Sequence, residues 1–194
     1  MRFWTSDLHI GHENIIKFCD RPFTNTDHMR EEIIRRWNEV VGPEDDVWLL
    51  GDIVMGNARV NLEHLRRLNG RKRLVTGNHD KIWRGNKPGY AERWWPEYAA
   101  AGLDIITDGE SVDTELGGRT VRVSHFPYYD IARHEDKYAD HRPKDDGHWL
   151  ICGHVHQAWK VSGRQINVGV DVWDFTPVSD EVLIRTIKGE AVSV

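Results

Sequence analysis

Short apolar runs that end on a polar tip alternate along this chain with longer stretches of helical apolar spacing. Residues 2–6, 47–50, 74–76, 120–124 and 149–152 are the runs. Val47-Trp48-Leu49-Leu50 is apolar at every position, as expected of a strand covered on both faces. Between the first runs, residues 27–41 carry Met29, Ile33, Trp37 and Val40 on one helical face, with Gly42-Pro43 as the stop. Residues 60–68 repeat the pattern with Leu62, Leu65 and Leu68 inward and Asn69-Gly70 behind them. A short helix is predicted over 12–18, and another over 91–101, carrying Trp94-Trp95 and interrupted near Pro96. From 103 to 124 the texture becomes short alternating strands with a turn at Gly117-Gly118, predicting a β-meander or hairpins. Further strands are predicted at 165–168 and 181–187. Residues 125–149 have no period and read as a lid or substrate wall, with His134, His141 and His148 as surface histidines. Arg71-Lys72-Arg73 opens a strand and reads as a solvated edge. No internal repeat breaks this order.

The polar tips carry the chemistry. Gly77-Asn78-His79-Asp80 closes one apolar run, and Asp7-Leu8-His9, Gly51-Asp52, Ser124-His125 and Gly153-His154-Val155-His156 each stand at or just past the end of another. Taken singly, a strand-end Asp or His is a cap or a satisfied polar group. Taken jointly, five such blocks point to one site. Strand alternation would put Asp7 and His9 on the same side of an extended backbone, where both could hold one metal. His12 and Asn14 follow closely and either touch substrate or face solvent at a helix start.

Oxygen and imidazole donors without thiolate favour Mn²⁺, with Fe, Zn²⁺ or Ni as alternatives. One ion cannot use Asp7, His9, Asp52, Asn78, His125, His154 and His156 together. Two divalent ions can, if a carboxylate bridges them at about 3.5–4 Å, and Asp52 is the natural bridge.

Composition narrows the setting. At 194 residues the chain fits one domain over 1–194, and 39% hydrophobic with 29% charged residues describes a globular protein. A formal net charge of −5 argues against a stable nucleic-acid complex or an acidic membrane surface. Bound cations would supply the local positive charge that an anionic substrate needs. Cys19 and Cys152 have no close-spaced cysteine partner, so a reducing compartment is expected. No signal-peptide apolar region precedes Asp7, and no run reaches the roughly 18 apolar residues of a membrane span, so the expectation is a cytoplasmic protein.

The five blocks together resemble the calcineurin-like metallophosphoesterase superfamily, from residue 7 to residue 156. The resemblance implies an α/β fold, a four-layer αββα sandwich of two mixed sheets flanked by helices, with a dinuclear centre at the strand ends. It implies that Asp7, His9, Asp52 and His156 hold one metal, that Asp52, Asn78, His125 and His154 hold the other, and that His79 is the catalytic histidine contacting substrate. Where the protein Ser/Thr phosphatase branch has a further Asp and an Arg, this chain has Met55 and Gly56, which turns the expectation away from protein phosphatases. His12-Glu13-Asn14 and Asn167-Val168-Gly169-Val170-Asp171 are similar to the small bacterial and phage members. The expected activity is a phosphodiesterase on a small substrate such as a cyclic nucleotide. A phosphomonoesterase or nucleotide-pyrophosphate hydrolase is the alternative, and a catalytically silent scaffold a third. Oligomeric state is not legible.

Overall fold

The computed structural model describes residues 1–129 and 137–190. Strands β1 (Arg2–Thr5), β2 (Asp46–Leu49), β3 (Arg71–Val75) and β4 (Leu103–Thr107) pair in parallel, in that order, and β10 (Val178–Ser179) joins β1 antiparallel. The second sheet runs β5 (Val112–Leu116), β6 (Arg119–Val123), β7 (Trp149–Cys152), β9 (Gln165–Asn167) and β8 (Val161–Ser162). Its β6, β7 and β9 are parallel and both of its edges antiparallel. Among the described residues the helices are α1 (Glu13–Phe18), α2 (Thr26–Val40), α3 (Ala58–Glu63), α4 (Trp95–Ala100) and α5 (Asp180–Ile187). Two mixed five-stranded sheets face each other, with α2, α3 and α4 on the outer face of the first and α5 packed against the core between them, an α/β arrangement of the metallo-dependent phosphatase kind.

Alternation along the first sheet explains the unbroken apolar runs. Phe3, Val47, Leu49 and Leu74 turn to one face and pack with Met29, Ile33 and Trp37 of α2, Leu62 of α3 and Tyr98 of α4. Trp4, Trp48, Leu50 and Val75 turn to the other and pack with Val121, Val123, Ile151 and Ile166 of the second sheet. A run buried on both sides has no polar alternate position to reveal its period.

Several expectations need correction. Residues 181–187 form α5, not a strand. Ser179 Oγ accepts from Val182 N, Asp180 and Glu181 occupy the first turn and Arg185 the last, so capping and the helix dipole outweigh the β-like run Val182-Leu183-Ile184. The segment from 103 is no meander: β4 belongs to the first sheet, and only β5–β6 form the hairpin. Pro96 sits at the start of α4, where its missing N–H costs nothing, and a short 3₁₀ turn at Ala91–Arg93 precedes it. The helix expected at 60–68 is α3 followed by a 3₁₀ turn at His64–Arg67.

Lys72 is not on a solvated edge. Its strand β3 lies between β2 and β4, and its side chain is buried with Nζ donating to the carbonyls of Leu68 and Gly70, both at 2.9 Å. Burial pulls its pKa down. Arg71 and Arg73 both pair with Asp46. His141 is exposed but lies 4.8 Å from Trp83, ring to ring, and His148 bonds Asp146. His134 lies outside the described residues.

Candidate metal centre

The carboxyl ends of β1, β2, β3, β6 and β7 converge, and the polar tips follow them. Asp7 and His9 do not reach the site by strand alternation. Their φ angles are 57° and 50°, in the left-handed region, and Asp52, His154 and His156 share it at 56°, 71° and 47°. Non-glycine residues rarely adopt this conformation, and its concentration here means that surrounding structure holds strained backbone in place. Backbone bonds from Asp7 N to Gly51 O and from His9 N to Asp52 O, each 3.0 Å, lock the first two tips together.

Close approach explains the glycines beside these tips. A Cβ on Gly51 would stand 2.3 Å from Gly77 N, and one on Gly153 would stand 2.0 Å from Ser6 Oγ and 2.5 Å from Asp7 Oδ2. No side chain fits at either position. The ligand-bearing loops of the two sheets can therefore touch.

Two groups of donor atoms result. Asp7, His9 and His156 offer atoms within 4.8 Å of one another, and so do Asp52, His125 and His154. Asp52 Oδ2 stands between the groups, 3.7 Å from His9 Nε2 and 3.5 Å from His125 Nε2. Its other oxygen accepts the His79 backbone N–H at 2.8 Å. Asn78 Oδ1 lies 3.0 Å from His125 Nε2, and His154 Nδ1 lies 3.2 Å from the same nitrogen. His125 Nδ1 faces the Leu50 carbonyl at 2.7 Å, which fixes the tautomer and leaves the Nε2 lone pair for a metal. All seven expected donors are brought to one place.

The residues fit divalent cations. Asp7 Oδ1 and both ring nitrogens of His9 are buried without a hydrogen-bond partner. Buried polar atoms are ordinarily satisfied, so three orphans in one pocket call for a ligand. Burial, then the neighbouring Asp7 carboxylate, push the Asp52 pKa well above its ordinary value. Burial, with His156 next, holds His9 well below the usual imidazole range and therefore neutral, as a metal ligand must be.

Asp80, the last residue of the central tetrapeptide, points away from the donors. Its carboxylate accepts from the backbone N–H groups of Asp52, Ile53 and Gly77 at 2.9, 3.2 and 2.8 Å, tying the second tip to the third. Burial, with Asp52 next, raises it to about 7. His79 opens onto the cleft, with its pKa pushed down to about 4 by desolvation and then by His125 and His12.

Arg21 and Asp171 lie outside the expected donor set. Asp171 Oδ2 lies 3.0 Å from His156 Nδ1, and the same carboxylate takes two bonds from the Arg21 guanidinium, at 2.8 and 3.0 Å. Arg21 also donates to the backbone carbonyls of Leu8 and Asp7, at 2.9 and 2.8 Å. Burial works against a charged His156, yet its hydrogen bonds to Asp171 and then Cys19 hold it up to about 11, so a cation bound here would displace that proton. A signal for Asp171 existed, since it too follows an apolar run, Val168-Gly169-Val170. Arg21, a single arginine before a proline, carried none. A thiol also comes near: Cys19 offers Sγ within 4.8 Å of donor atoms of His156 and Asp171, although the expected donor set was thiol-free. Both cysteines are free.

A cleft of about 540 Å³ opens over the two donor groups, walled by His9, His12, His79, His154 and His156 on its polar side. His12 Nδ1 is buried there without a partner. No helix among the described residues is long and apolar enough to cross a membrane.

The chain is 39% identical to the gene 66 protein of Mycobacterium phage D29, over 93% of this chain and 92% of that protein. It is 32% identical to an uncharacterized protein of Methanocaldococcus jannaschii, over 96% and 92%. A crystal structure of a protein of unknown function from Aquifex aeolicus superposes with a TM-score of 0.72 at 28% identity, covering 96% of this chain and 99% of that one. The family model of the calcineurin-like phosphoesterase superfamily domain matches residues 4–177, across both sheets and every donor described above, and the chain belongs to that superfamily.

Proposed function

We propose that this chain is a metal-dependent phosphodiesterase with a dinuclear centre, acting on a small phosphorylated substrate of the cyclic-nucleotide kind. The observation that supports the dinuclear centre is the position of Asp52 Oδ2 between the imidazoles of two separate donor groups, and the diester preference rests on the resemblance to the small bacterial and phage members. In this reading Asp7, His9, Asp52 and His156 hold one ion, and Asp52, Asn78, His125 and His154 hold the other. Manganese is the first choice for a donor set of carboxylate, amide and imidazole. The reading takes residues 1–194 as one domain working in the cytoplasm.

Bound divalent cations supply Lewis acidity to phosphoryl oxygens and to an attacking water. The chain's own residues do the rest. Asp52 is aimed through Oδ1 by the His79 N–H, leaving Oδ2 for the shared position. His125 is held in one tautomer by the Leu50 carbonyl. His79, tethered through its backbone and open on the cleft, places a ring N–H where charge develops on a phosphoryl or leaving oxygen. His79→Ala is expected to lower kcat about a hundred-fold while the protein still takes up two metal ions. An unchanged kcat would remove His79 from the chemistry.

The activity is tested with the purified chain and Mn²⁺ on a chromogenic phosphodiester and its matching monoester, with and without chelator. Chelator-sensitive cleavage, faster on the diester, is expected. Faster cleavage of the monoester would make the protein a phosphomonoesterase, and silence on both in protein carrying two ions would end the phosphodiesterase reading.

A further inference from the structure

The cleft has a second half that the chemistry does not use. Beyond the histidines its wall is apolar, formed by Ile15, Phe18, Cys19 and Met55. Phe18 is 70% exposed, a large aromatic left open to water at the lip of a catalytic cleft. What distinguishes it from other exposed apolar side chains is its place on the cleft wall, where an aromatic ring is well suited to stacking. A line of rings connects it to the donors: His9 to His12 at 5.4 Å between centroids, and His12 to Phe18 at 6.4 Å. Ile15 and Phe18 come from α1, three residues apart and so on one helical face. Met55 occupies the other wall and offers a soft, adaptable surface.

Charge is equally informative. Among the described residues that line the cleft there is no lysine and no arginine. The cations account for one phosphoryl group. Among the described lining residues a second phosphate would meet carbon, metal-held imidazole and the Gln157 amide, with no lysine or arginine to offset the cost of its hydration.

We propose that Phe18 and Met55 seat the uncharged aromatic part of a singly charged phosphodiester, a nucleoside by chemical class, and that the cleft discriminates against substrates bearing a second phosphate. This inference rests on the phosphodiesterase reading and narrows it. His12 lies between the donors and Phe18, its ring forming part of the wall that links the two halves of the cleft.

The test compares two esters with the same leaving group, thymidine 5′-(4-nitrophenyl phosphate) and methyl 4-nitrophenyl phosphate, on Mn²⁺-loaded protein. The thymidine ester is expected to be favoured by about ten-fold or more in kcat/KM, mostly through KM, as one base–aromatic stack provides. Phe18→Ala abolishes the preference, whereas Phe18→Trp retains it. Because Phe18 is exposed, its truncation leaves the core intact. A 3′-phosphate on the thymidine ester lowers kcat/KM by about ten-fold. Independently of turnover, saturation-transfer NMR on Mg²⁺-loaded protein reports base protons of thymidine against wild type and not against Phe18→Ala. Equal use of both esters, a preference that survives Phe18→Ala, or an indifferent 3′-phosphate would overturn the inference with the phosphodiesterase reading intact. Chelator-insensitive or absent cleavage of both esters would instead remove that reading, and the NMR comparison would still decide whether Phe18 binds the base.

Discussion

Asp52→Asn protein is expected to lose about a thousand-fold or more of its phosphoester cleavage, because a shared ligand serves both halves of the centre at once. Asparagine keeps an oxygen for the His79 N–H, which Asp52 Oδ1 now accepts at 2.8 Å, so the loop geometry survives. What disappears is the negative charge between the two donor groups. Metal content should fall from two ions to one or none, read by titration with Mn²⁺. The metal-free protein should melt at a higher temperature than metal-free wild type, since Asp7 and Asp52 are both buried and their mutual repulsion is removed. Added Mn²⁺ should reverse that order, stabilising wild type more than the variant. A variant carrying two ions and turning over normally would dismiss Asp52 as the bridge.

Arg21→Met is expected to destabilise the fold by about 3–5 kcal/mol, equivalent to a melting point lower by about 10 °C. The Arg21 and Asp171 side chains are essentially inaccessible, at 0% and 1% exposure, and the guanidinium also satisfies the carbonyls of Asp7 and Leu8. Its removal strands a buried carboxylate. Arg21→Met combined with Asp171→Leu should recover much of the lost stability, because an apolar pair of similar volume replaces a buried ion pair at little cost. Metal affinity should not recover with it. His156 loses the carboxylate that orients its ring, and loss of such a partner costs about 10–100-fold in affinity. A double variant that is stable and binds Mn²⁺ like wild type would reduce Asp171 to a purely structural role.

The donors were legible because each is adjacent in sequence to the apolar run that delivers it. Asp7, Asp52, Asn78, His125 and His154 announce themselves as polar tips on buried strands, and the motifs they form are specific enough to imply a family and its architecture. Capping chemistry that could have identified α5 was also present, in Ser179 and the acids after it, but the apolar run Val182-Leu183-Ile184 hid it. Legibility stopped where a role depends on an element far away in the chain. Asp104 and its neighbours could be read as strand, yet nothing local says that β4 pairs with β3 and not with β5. Lys72 looked solvated because its burial is created by the carbonyls that end the preceding helical segment.

Residue type and spacing along the chain by themselves determined which strands are buried on both faces and which side chains stand at their ends, since both follow from local periodicity and covalent adjacency. Only the tertiary structure decided how those ends meet. The left-handed backbone at Asp7, His9, Asp52, His154 and His156, the contact of Gly153 with Ser6, and the bond from Arg21 to Asp171 across 150 residues of chain each require two segments to be packed before either is stable in that form. Strain and buried charge are tolerated only when distant neighbours compensate them, and a one-dimensional pattern contains no record of who those neighbours are.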